Sequence, residues 1–153
     1  KMDWILQKAT ELGVARILPV TSERSEVKLD AQRADKRLAH WRGIVVAACE
    51  QSGRAVLPEV APPQSLAQAA GLRDGRGFIL DPFAEASLSS VRDAPLRACT
   101  IAIGPEGGWS PRDREQLVAA GYEGLRLGPR VLRTETAGIA AIAALQAACG
   151  DLG

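Results

Sequence analysis

The chain has 153 residues, 46% of them hydrophobic, enough to bury one core as a single domain. Nineteen Lys and Arg oppose 18 Asp and Glu for a formal charge of +1, so no global positive field marks a nucleic-acid binder, and such a role must rest on local clustering. Cys49, Cys99 and Cys149 are odd in number and lack CxxC spacing, and His40 is the single histidine, which argues against a disulfide framework or a zinc site and fits a reducing cytoplasm.

Lys1-Met2-Asp3-Trp4 opens directly into a helical pattern, with no apolar signal-peptide core. The longest apolar run, 137–149, is interrupted by Gln146 and is too short to span a bilayer. A soluble, cytoplasmic domain is expected, and the abrupt start suggests the C-terminal part of a longer protein.

In chain order, Trp4, Ile5, Leu6, Ala9 and Leu12 fall at helical spacing, and Gly13 supplies a stop. Ala15 to Val20 reads as a strand, followed by the polar loop Thr21-Ser22-Glu23-Arg24-Ser25. A long helix is expected from about 31 to 52, charged first and apolar later. Gly43 lies inside it at a cost of about 1 kcal/mol relative to alanine, which suggests a kink or close packing there. Val56, Leu57 and Val60 indicate a short edge strand, and Ser65 caps a small helix that ends at Gly71. Gly77 to Asp81 reads as a buried strand ended by Pro82. The stretch 83–97 reads mostly as loop with one helical turn. Cys99 to Ile103 is the next strand, and Ser110-Pro111 starts a helix that stops at Gly121. Leu125 to Leu127 is the last strand, before a helix over 134–149.

Strands alternating with helices indicate an α/β fold, a mostly parallel sheet flanked by helices, with 1–153 as one domain. The last helix is apolar on nearly all sides, which points to burial on more than one face and hence to a subunit interface.

Two loops concentrate the chemistry. Gly104-Pro105-Glu106-Gly107-Gly108 lacks the Lys-Ser/Thr of a P-loop and does not match GxGxxG. Its glycines suit either a tight turn or close approach of backbone to a flat ligand. The second loop, 127–137, places Arg130, Arg133, Glu135 and two hydroxyls at a strand end and a helix N-terminus, where free N–H groups hold anions. Glu135 also complements the helix dipole, so a structural role stays open beside a polar pocket. Arg24, Lys28, Arg33, Lys36, Arg37, Arg42 and Arg54 cluster earlier, as either a solvated face or a track for phosphates. No Gly-x-Ser-x-Gly elbow accompanies His40, which sets hydrolase chemistry aside.

Together these stretches resemble the bacterial 16S ribosomal RNA uridine N3-methyltransferases (RsmE type) of the knotted SPOUT superfamily. The resemblance is carried in order by Gln7-Lys8-Ala9-Thr10-Glu11-Leu12-Gly13-Val14, Ser22-Glu23-Arg24, Ala47-Ala48-Cys49-Glu50-Gln51-Ser52-Gly53-Arg54, Ile103 to Gly108 and Leu127 to Thr136, and by the closing Gly150-Asp151-Leu152. It implies a C-terminal trefoil knot, which general topology rules would not propose. It also implies S-adenosylmethionine as cofactor, a homodimer, 16S rRNA of the small ribosomal subunit as partner, no metal, and a PUA-like N-terminal domain that this chain lacks. Cofactor contacts are implied for Leu80, Gly104, Pro105, Glu106, Gly107, Gly108, Leu127, Gly128, Arg130, Leu132, Arg133, Thr136 and Ala137. For catalysis, Arg24 and Arg133 are candidates to stabilise the uridine anion or anchor phosphate, and Glu106 or Glu135 to take the N3 proton. Arg24, Arg33, Lys36, Arg37 and Arg54 are the RNA-binding candidates. Methylation of another base or a ribose 2′-hydroxyl, a non-catalytic RNA-binding module, and a phosphate-binding enzyme using the glycine loops are the alternatives.

Overall fold

A computed structural model describes residues 1–25, 30–93 and 95–153; Lys28 lies outside them. Helix α1 (Met2–Glu11) buries Leu6, Ala9 and Thr10 and ends at Gly13, whose φ of +86° suits a residue without Cβ. Strands β1 (Arg16–Ile17) and β2 (Val20–Thr21) follow, so the expected strand over 15–20 is split. Pro19, which has no N–H for a ladder, sits at the break. Helix α2 (Ala31–Ser52) starts where the Asp30 side chain accepts from Arg33 N–H and stops at Gly53 in the left-handed region. Its Leu38, Trp41, Val45, Ala48 and Cys49 form one buried stripe. A Cβ at Gly43 would meet nothing within 4 Å, so the close packing expected there is absent. Leu6, Trp41, Val45 and Val60 lie in the core cluster between α1 and α2.

Strands β3 (Glu59–Val60) and β4 (Gln64–Ser65) pair in parallel with β1 and β2 respectively, and Pro62-Pro63 breaks this second line as Pro19 breaks the first. Val56 and Leu57, expected in the edge strand, precede it and are exposed. A full capping box at Ser65 and Gln68 begins α3 (Leu66–Ala70).

The main sheet has β5 (Arg76–Leu80) at its centre, between β6 (Cys99–Ala102) and β7 (Tyr122–Leu125), all parallel. The expected strand 125–127 thus lies earlier: Gly121 turns the chain at φ +90°, and the register pairs Gly77 with Tyr122 and Leu80 with Leu125. Helix α4 (Leu88–Arg92) supplies the single turn expected within 83–97, with Val91 buried. Helix α5 (Pro111–Ala119) packs Leu117 on Ile79 and Tyr122, while α6 (Thr134–Cys149) brings Leu145 to Phe78, Val91 and Leu125. Gln146 Nε2 of α6 donates to Leu12 O at 2.8 Å and ties the last helix to the end of the first. The result is an α/β fold of parallel sheets flanked by helices. Among the described residues no helix is long and apolar enough to cross a membrane.

Candidate active site

Because β5, β6 and β7 run parallel, their carboxyl ends meet along one edge, where open α/β sheets take ligands. Leu80 ends β5, the first glycine loop follows β6, and the second follows β7, so the topology delivers the three predicted cofactor segments to that edge. At the end of β5, Asp81 accepts from Phe83 N–H (2.9 Å) and from Arg114 Nη2 (2.5 Å), which holds the turn after Leu80.

The first loop is shaped by its neighbours. A Cβ on Gly104 would stand 3.3 Å from the Trp109 indole, so the ring lies against the glycine backbone. Gly108 needs its φ of +72° to return the chain to Pro105 O, which accepts its N–H at 2.8 Å. Trp109 Nε1 is buried with no partner among the described residues. In the second loop Gly128 has φ +105° in open space, Arg130 is exposed, and Leu127 and Leu132 are half-buried. Arg133 stands at the N-cap of α6 with an exposed side chain, and Thr136 and Ala137 lie in the first turn. Gly138 is buried under Ile103, whose Cδ1 lies 2.7 Å from where a Cβ would be. The strand leading into the first loop therefore packs directly on the helix leaving the second.

The two candidate bases meet at one cation. Lys1 Nζ is ion-paired with Glu106 and lies 3.9 Å from Glu135 Oε2. That oxygen is buried and has no hydrogen-bond partner among the described residues, whereas Glu106 is exposed. Lys1 was not legible as a site residue, since nothing in its sequence neighbourhood signals the two distant loops it touches.

Arg24 joins the same edge: its Nη1 donates to Gly107 O (2.8 Å) and Trp109 O (3.5 Å). Behind it, Glu23, Ser110 and Asp113 form a hydrogen-bonded group absent from the sequence-based set. The helix-start pattern at Ser110 was visible, but its link to Glu23 spans 87 residues.

The other basic candidates divide. Arg33, Lys36 and Arg37 are exposed on α2 at helical spacing, Arg33 beside Asp30 at 3.6 Å, and His40 continues the stripe, bonded to Asp3 at 2.8 Å. Arg54 instead donates from Nη1 to Thr10 O (2.9 Å) and Val14 O (3.0 Å), at the C-terminal end of α1. Its guanidinium thus holds helix-end carbonyls, a structural task that the cluster in sequence did not suggest.

Residues 1–146 match the model of the RNA methyltransferase domain family. The chain is 35% identical to ribosomal RNA small subunit methyltransferase E of Buchnera aphidicola over 99% of its own length and 62% of that protein. The Bacillus subtilis protein of the same name is 34% identical over 95% of this chain and 60% of its own. A ribosomal RNA small subunit methyltransferase E from Neisseria gonorrhoeae, solved bound to S-adenosyl methionine, superposes with a TM-score of 0.87 at 45% identity, over 95% of this chain and 61% of that one. This chain therefore spans about three fifths of the length of these relatives. On the match across nearly its whole length, the chain belongs to the RNA methyltransferase domain family.

Proposed function

We propose that residues 1–153 form one S-adenosylmethionine-dependent methyltransferase domain acting on N3 of a uridine in 16S ribosomal RNA of the small subunit. The observation that carries this reading is the convergence of both glycine loops, Arg24 and two carboxylates on one sheet edge. The loops fit the cofactor: Gly108 and Gly128 face open space, and two buried polar atoms there lack partners among the described residues. Leu80, Gly104 to Gly108, Leu127, Gly128, Arg130, Leu132, Arg133, Thr136 and Ala137 would hold it.

When bound, the cofactor supplies an electrophilic methyl group on a sulfonium. The chain's own task is to present uracil N3 in line and remove its proton. Glu135 takes that proton on Oε2, the buried oxygen with no hydrogen-bond partner among the described residues. Lys1 keeps this carboxylate and Glu106 company as their counter-charge. Arg24 and Arg133 stabilise the negative charge that develops on the uracil oxygens, or hold the flanking phosphate. Arg33, Lys36 and Arg37 extend a positive stripe for the RNA backbone.

The same reading includes a cytoplasmic homodimer. Ile139, Ala140 and Ala143 of α6 are only partly covered within the chain and lie opposite the buried Gly138, Ala141 and Leu145. It also includes the C-terminal trefoil knot that the family resemblance implies.

The test is a calorimetric titration with S-adenosylmethionine, followed by methyl transfer to small ribosomal subunits and mass spectrometry of the product nucleoside. Saturable binding at one site per chain and formation of 3-methyluridine are expected. A folded chain that binds no cofactor refutes the reading, and a different methylated nucleoside refutes the N3 assignment.

A further inference from the structure

We propose that Glu23 is a positioning residue: it clamps the Ser22–Ser25 turn to the head of α5 and so sets Arg24 over the first glycine loop. This rests on the methyltransferase reading above, in which Arg24 meets the RNA.

The clamp exceeds what capping requires. A capping box at the start of α5 needs only Ser110 and Asp113, and both halves are present: Asp113 N–H donates to Ser110 Oγ at 3.0 Å, and Ser110 N–H donates to Asp113 Oδ2 at 3.4 Å. Glu23 adds two bonds to this box from another part of the chain. Its Oε2 accepts from Ser110 Oγ at 2.7 Å, and its backbone N–H donates to Asp113 Oδ2 at 3.2 Å. Ser110 is 3% and Asp113 4% exposed, so the capping end of the clamp is shielded from water, while Glu23 itself is exposed. The turn is closed on its other side as well, where Ser22 N–H donates to Ser25 Oγ at 2.9 Å and Ser25 N–H to Ser22 O at 3.1 Å.

Arg24 is the residue this geometry aims. It sits between the two anchors, its Nη1 donates to Gly107 O, and its Cδ would lie 3.7 Å from a Cβ at Gly107. An exposed arginine on a free loop samples many rotamers, whereas this one is held from behind by a hydrogen-bonded network and from the front by loop carbonyls. Its link to Trp109 O reaches the residue that covers Gly104, so substrate arginine and cofactor loop form one connected unit.

The experiment compares Glu23→Ala, Glu23→Gln, Arg24→Ala and the Glu23→Ala/Arg24→Ala double variant of the whole chain. The readouts are melting temperature, cofactor affinity by calorimetry, and kcat and KM for methyl transfer to small subunits. Glu23→Ala should change the same kinetic parameter as Arg24→Ala, by about tenfold or more, as expected for losing a bond to a charged group. Glu23→Gln should recover most of it, because the amide oxygen still accepts from Ser110. The double variant should be no worse than Arg24→Ala, since both changes remove one function. Cofactor affinity should stay within about twofold, while the melting temperature should fall by a few degrees in Glu23→Ala, which leaves buried Ser110 Oγ without its acceptor, and recover in Glu23→Gln. Wild-type kinetics for Glu23→Ala, full additivity in the double variant, or parallel loss of stability and cofactor binding would each overturn the proposal. A wild-type chain that transfers no methyl group would instead overturn the underlying methyltransferase reading, and this proposal with it.

Discussion

Arg54 separates two accounts of the same charge. From sequence it joins a basic cluster that would meet RNA; in the fold its Nη1 lies 2.9 Å from Thr10 O and 3.0 Å from Val14 O. Thr10 is fully buried, and its carbonyl keeps only the Gly13 N–H at 3.1 Å when the guanidinium is removed. Hydrogen bonds to a charged donor contribute about 1.5–3 kcal/mol each, and a cation at a helix C-terminus about 0.3–1 kcal/mol more. Both bonds share one nitrogen and Arg54 is only half-buried, so about 2–3 kcal/mol in total is the reasonable expectation for Arg54→Ala. For a chain of 153 residues each kcal/mol shifts the midpoint by about 2–4 °C, which predicts a loss of about 4–12 °C. Thermal unfolding followed by circular dichroism at one fixed protein concentration measures this. Arg54→Lys should fall between, because its ammonium keeps the charge but not the planar, pre-organised placement of the Nη1 donor that reaches both carbonyls. If Arg54→Ala melts with the wild type and instead weakens RNA binding, the clamp is wrong and the phosphate contact inferred from sequence is right.

Gly128 has φ +105° with nothing near its missing Cβ, so Gly128→Val tests backbone conformation without a clash. Strain on the order of 1–3 kcal/mol should appear as about tenfold or greater loss of S-adenosylmethionine affinity by calorimetry, with a smaller change in melting temperature. Cys99 predicts an alkaline limit. Burial, then the nearby Cys149, raises its pKa above the ordinary 9.0, while Arg76 lowers it. The folded chain therefore holds the proton that the unfolded chain releases, so this stability is complete below pH 9.0 and is lost as pH rises through the folded value. Tyr122 behaves alike above its ordinary 10.0, again chiefly through burial. A melting-temperature series across that range should show a decline that Cys99→Ala makes shallower; an unchanged decline would remove Cys99 as a cause. Finally, Ile139→Asp places a charge on the partly covered face of α6 and should convert a dimer to monomers in analytical ultracentrifugation; an unaltered sedimentation profile would exclude that face as the interface.

Much of the architecture follows from local chemistry alone. Asp30 with Gly53 bounds α2, Ser65 with Gln68 starts α3, and Ser110 with Pro111 starts α5, because caps and turn residues act through neighbours three or four positions away. The alternation of strand and helix made a parallel sheet legible, and the two glycine loops marked the edge at which the cofactor is proposed to bind. Where neighbours along the chain did not suffice, the expectations moved. The last strand shifted to Tyr122–Leu125 because its position is decided by pairing with Gly77 to Leu80, a partner over 40 residues away.

The site divides in the same way. Residue types and their loops came from the sequence, as with Gly104 to Gly108, Arg133 and Glu135. Which of them share a hydrogen bond or a counter-ion was decided only in three dimensions. Lys1 bridges Glu106 and Glu135, Glu23 reaches across 87 residues to Ser110, and Arg54 leaves the basic cluster for the end of α1. Sequence spacing carries information about contacts within one turn of helix or one strand, because the local backbone sets those distances. Contacts between segments depend on how separate cores pack, so the partners of Lys1, Glu23 and Arg54 exist only once the chain has folded.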